Sequence, residues 1–82
     1  MDRQPVQIRY VDPFTILVVN DKGQLRELHT PFRVQCLHSS GKVPQNAWVF
    51  VDGVWDEGRG RLFYLVGGTL HPHLHFRLQI HF

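Results

Sequence analysis

The sequence predicts an all-β fold: a small barrel of five to seven short, mostly antiparallel strands. Three observations carry that expectation. Apolar and polar residues alternate in short runs, the side-chain period of a strand. Turn residues recur every eight to twelve positions. No stretch repeats apolar residues at the 3.6 spacing of an amphipathic helix.

Composition sets the frame. Eighty-two residues make one domain, 1–82. At this size folding buries roughly two-thirds of the chain's surface, so the core is thin. The hydrophobic share is 43% and the charged share 20%, a globular balance rather than a disordered one. The single cysteine, Cys36, excludes an internal disulfide and a multi-cysteine zinc site. It favours a reducing, cytoplasmic setting, since small secreted domains usually need staples. The opening residues MDRQPVQIRY lack the apolar core of a signal peptide. The longest apolar runs, such as Ile16 to Val19, are too short to span a bilayer, so no membrane partner is expected. Net charge is +2, from scattered residues, which leaves nucleic acid open without demanding it.

The elements follow in order. Met1 to Gln4 reads as a loose end. Val6, Ile8 and Tyr10 alternate with Gln7 and Arg9, a half-wet strand closed by Asp12-Pro13. Phe14 to Asn20 is continuously apolar and β-branched, the mark of a central strand covered on both faces. Asn20-Asp21-Lys22-Gly23 is a hairpin turn. In Gln24 to Thr30, Leu25 and Leu28 lie three apart, and a β-bulge at Arg26-Glu27 would restore their phase. Phe32, Val34 and Cys36 alternate with Arg33 and Gln35, which puts Cys36 on the apolar side.

His38 to Ala47 is a polar loop, with Gly41, Pro44 and Asn46 as its turn residues. In the strand Trp48 to Val51, Trp48 and Phe50 share one face and two valines the other. Both faces are apolar, so either the loop or a partner must cover one of them. Asp52-Gly53 reads as a glycine bulge within a longer strand reaching Trp55, because Glu57-Gly58-Arg59-Gly60 is the fuller turn. Arg61 to Val66 is a strand, turned by Gly67-Gly68. Leu70 to Phe82 is the longest alternation. It predicts one strand with Leu70, Pro72, Leu74, Phe76, Leu78, Ile80 and Phe82 in the core. His71, His73, His75, Arg77, Gln79 and His81 then form a polar stripe.

In size and strand rhythm the chain resembles an SH3-like small barrel. The acidic-aromatic motif of peptide-binding SH3 domains is missing, so the resemblance does not imply proline-rich ligands.

Four chemistries compete. Residues two apart on a strand lie about 6.8 Å apart on one face, so His73 and His75 can share a zinc ion. A third ligand would come from His29, His38, Glu27 or Cys36. A solvated, histidine-rich strand face is the plainer reading, and no cofactor is expected beyond that possible zinc. Arg77 and the histidines, with Trp48, Trp55 or Tyr64 as stacking platforms, suit nucleic acid; core burial of those aromatics is the competing reading. A protein partner, or self-association, asks least of the residues. Nucleophilic catalysis by Cys36, or by Ser39-Ser40 beside His38, finds no supporting pattern. The sequence therefore points to a non-enzymatic interaction module. Its candidate binding residues are His71, His73, His75 and Arg77, or the region of Trp48 and Trp55.

Overall fold

The structure, a computed structural model, describes residues 6–82. The expected loose end, Met1 to Gln4, lies outside them. Among the described residues the chain is all-β apart from one 3-10 turn. Nine strands form: β1 (Gln7–Asp12), β2 (Thr15–Val19), β3 (Leu25–His29), β4 (Phe32–Cys36), β5 (Trp48–Val51), β6 (Gly53–Asp56), β7 (Leu62–Val66), β8 (Thr69–Pro72) and β9 (Phe76–Leu78). They make three antiparallel three-stranded sheets, ordered β1-β2-β3, β5-β4-β9 and β6-β7-β8. The sheets do not close into a barrel. The all-β class stands, and the single closed barrel of five to seven strands does not. The reason is local: two of the expected long strands are each divided between sheets.

The first division is at Asp52. β5 pairs with β4, whereas β6 pairs with β7. The run from Trp48 to Asp56 is extended throughout, as expected, but it changes sheets. The Asp52 N–H donates to the Leu65 carbonyl at 2.8 Å, and the Val54 N–H to the Pro13 carbonyl at 2.7 Å. A Cβ at Gly53 would meet the Pro13 carbonyl oxygen at 3.5 Å, an ordinary packing distance, so the junction does not demand glycine.

The second division is in Leu70 to Phe82. The stretch is not one strand: β8 ends at Pro72, His73–His75 make the 3-10 turn, and β9 resumes in another sheet. Pro72 has no N–H for the ladder, which suits a strand end. The turn changes the phase. His71 is buried and Leu70 exposed, whereas from Phe76 onward the apolar residues point inward as expected. Leu74, predicted as core, is 75% exposed.

The other elements follow their patterns more closely. β2 is the middle strand of its sheet, with Ile16 and Val18 fully buried. The Asn20 turn forms, its side-chain oxygen accepting the N–H groups of Lys22 and Gln24. β3 pairs with β2 in unbroken register, so no bulge is present at Arg26-Glu27. Leu25 simply faces solvent. A register shift occurs instead between Tyr10 and Asp12, in β1.

All three sheets supply the core: Ile16 and Val18; Phe32, Val34, Cys36, Val51 and Phe76; Val54 and Tyr64, with Ile80 beyond β9. Phe32 meets Tyr64 edge to face, with ring centroids 5.5 Å apart, a favoured aromatic geometry. Cys36 is a free, fully buried thiol, as its alternation predicts. No helix among the described residues is long and apolar enough to cross a membrane.

Candidate binding surface

Alternation along β4, β5 and β9 builds one exposed face. Phe32, Val34 and Cys36 point into the core, so Arg33 and Gln35 point out. Gln35 lies opposite Trp48 on one side and Arg77 on the other. Arg33 lies opposite Phe50, and its carbonyl is approached by the Gln79 N–H at 3.5 Å. The face therefore carries two rows, Trp48–Gln35–Arg77 and Phe50–Arg33–Gln79. Trp48 is 41% exposed and Phe50 58%. The Arg33 guanidinium carbon sits 4.6 Å from the centroid of the Trp48 ring, within cation–π range. Arg77 donates to the Gln35 side-chain oxygen at 2.8 Å. No carboxylate occupies any of these six positions.

Trp55, paired with Trp48 by the sequence reading, lies on a different sheet. It lines a shallow apolar groove with Pro13, Phe14, Gly53 and Leu70.

The histidines do not form one wet stripe. His71 is only 4% exposed and Ser40 only 8%. The Ser40 Oγ lies 2.8 Å from His71 Nδ1 and 3.2 Å from His75 Nδ1. A hydroxyl has one proton to give. With both bonds in place Ser40 can donate to at most one Nδ1, so at least one of the two rings carries a proton on Nδ1 and donates it to the hydroxyl oxygen. The Ser40–Val43 turn positions the hydroxyl, with backbone bonds in both directions at 3.0 and 2.9 Å. Gly41 has φ +57°, and a Cβ there would lie 3.2 Å from the His71 ring. His73 donates Nδ1–H to the Leu62 carbonyl at 3.1 Å. Partial burial lowers its pKa below the ordinary value, against the smaller raising effect of that bond. Burial also pushes the Tyr64 phenol up.

These bonds revise the zinc expectation. Among the described residues no three His, Cys, Asp or Glu side chains are placed to hold a metal ion. His73 and His75 flank Leu74 in a 3-10 turn rather than projecting side by side from a strand. Of the suggested third ligands, His29 is engaged with Thr15 at 3.3 Å and with Glu27 at 3.5 Å. Sequence reasoning missed Ser40 as the partner of two histidines, because 31 and 35 residues separate it from them. It placed Phe50 on the face of Trp48 but missed Arg33 as a member of that exposed face, although β4 alternation contained the signal.

Comparison with protein-family models, with curated proteins and with solved structures finds no match.

Proposed function

We propose that this chain is a non-enzymatic interaction module that presents the outer face of β4, β5 and β9 to a macromolecular partner. The observation that carries the reading is the pair Trp48 and Phe50. Both rings stand open on a strand whose opposite face supplies the buried Val51. The His38–Ala47 loop closes at its base through Cys36–Ala47 and Asn46–Cys36 backbone bonds, and leaves both rings exposed. Large exposed aromatics beside arginine are the composition of interface centres. A cytoplasmic setting belongs to the same reading, supported by a buried thiol with no disulfide.

The test is stability. The double variant Trp48→Ser/Phe50→Ser removes two large side chains from a solvated face. Its unfolding free energy should stay within about 0.5 kcal/mol of the parent, the usual range for surface substitutions. Guanidinium titration followed by circular dichroism measures it. A loss beyond about 2 kcal/mol would assign the rings to the fold and remove the reading. Concentration-dependent sedimentation of the parent, abolished in the double variant, would identify the partner as a second copy.

A further inference from the structure

We propose that the occupant of this face is a single-stranded nucleic acid, its bases stacking at Trp48 and Phe50 and its phosphates drawn to Arg33 and Arg77. The inference rests on the binding-module reading above and adds the ligand class. Three features of the face point the same way.

The first is spacing. Trp48 and Phe50 are alternate residues of one strand, so their attachment points are about 6.8 Å apart. A stacked strand advances about 3.4 Å per nucleotide. Two rings at twice that rise can each take a base only if the bases are splayed. A single strand permits this, and a base-paired duplex does not.

The second is the stack already in place. The Arg33 guanidinium lies over one face of the Trp48 ring. Bases stack on guanidinium planes as well as on aromatic rings. A base joins this pair on an open side, so Arg33 both extends the platform and brings charge to the backbone. Phe50, directly across from Arg33, offers the neighbouring ring.

The third is charge. The six positions carry two guanidinium groups, two amides, two aromatic rings and no carboxylate. Arg77 is held at the far end of the Trp48 row by its bond to Gln35. Both guanidinium groups therefore lie to one side of the aromatic pair, which occupies the edge strand β5. An acidic peptide shares the charge preference, but it gains less from a sheet face whose rings offer stacking planes. Peptide side-chain anchors are recognised by pockets.

The test uses the whole chain with fluorescein-labelled dT12 and rU12, followed by anisotropy and by tryptophan emission at low salt. Both strands should bind, and emission should fall on binding. The quench should persist in Trp55→Phe, which leaves Trp48 as the reporter. Trp48→Ala should weaken binding about tenfold, whereas Trp48→Phe restores most of it. Arg33→Gln/Arg77→Gln should reduce the slope of log affinity against log salt by about 1.4. A hairpin duplex of dA·dT pairs should bind more weakly than dT12. Absence of binding overturns the proposal. So does binding indifferent to Trp48→Ala and Phe50→Ala, or equal affinity for the duplex. Capture of a glutamate-rich peptide in place of the oligonucleotides, lost in the same variants, also overturns it. That last result, like retained stability of the double variant, would leave the module reading standing.

Discussion

Trp48–Val51 and Leu70–Phe82 carry the same kind of signal in sequence and meet different fates. Both are read with the two-residue period of a strand, although only Leu70–Phe82 alternates apolar with polar residues and Trp48–Val51 is apolar on both faces. In the first, that period translates directly into geometry: Trp48 and Phe50 point out, and Val51 points in. In the second, a 3-10 turn at His73–His75 breaks the period, and the two halves pair in different sheets. The result exchanges roles. A histidine enters the interior and a leucine leaves it. Alternation is a reliable guide to facing only while the chain keeps one ladder.

The largest expected effect tests that exchange. His71→Ala should destabilise by about 2–4 kcal/mol, because it opens a cavity and leaves the buried Ser40 hydroxyl short of a partner. Leu74→Ala should change stability by less than about 0.5 kcal/mol. Chemical denaturation of both variants decides the matter. The reverse ranking would restore an unbroken strand and a solvated histidine stripe.

A middling effect concerns pH. The folded pKa of His73 lies below its unfolded value of about 6.5, so the unfolded chain binds the proton more readily. The stabilisation this residue contributes is complete above about pH 6.5 and declines as pH falls from there toward the folded pKa. His73→Gln should therefore flatten the fall in melting temperature between about pH 7.5 and 5.5. A parallel displacement of the curve, with unchanged slope, would place the acid sensitivity on other groups.

The smallest effect sharpens the contrast between the open face and the interior. The Tyr64 hydroxyl is buried without a hydrogen-bond partner among the described residues. Tyr64→Phe should be neutral or stabilising, by up to about 1 kcal/mol, since it removes a desolvated polar atom and keeps the ring. A clear loss of stability would mean that the hydroxyl is paired in solution.

Several features were legible in the sequence for physical reasons. The all-β class, the β2 core strand, the Asn20 turn, the Gly67-Gly68 turn and the buried Cys36 all follow from local chemistry, either period or turn preference. The exposed face was half legible. Trp48 and Arg77 stood out singly, but their common row depends on the pairing of β4 with both β5 and β9. Pairing between distant strands leaves little local trace. The Leu25–Leu28 spacing suggested a bulge because both leucines were assumed to need burial. One exposed leucine costs little, and the ladder stays regular. The Ser40–His71–His75 cluster was not legible, since a loop hydroxyl acquires its partners only after the third sheet is in place.

The passage of one extended run through two sheets at Asp52 also ties the two aromatic surfaces of the molecule to a common phase. Trp48 and Phe50 belong to one sheet, and Trp55 to another, with Val51 and Val54 buried on either side of the junction. Backbone bonds from Asp52 and Val54 to two different partners fix the count of residues between them. Spacing here acts like the key of a gear: with one tooth added or removed, one surface would keep its outward face only by turning the other inward.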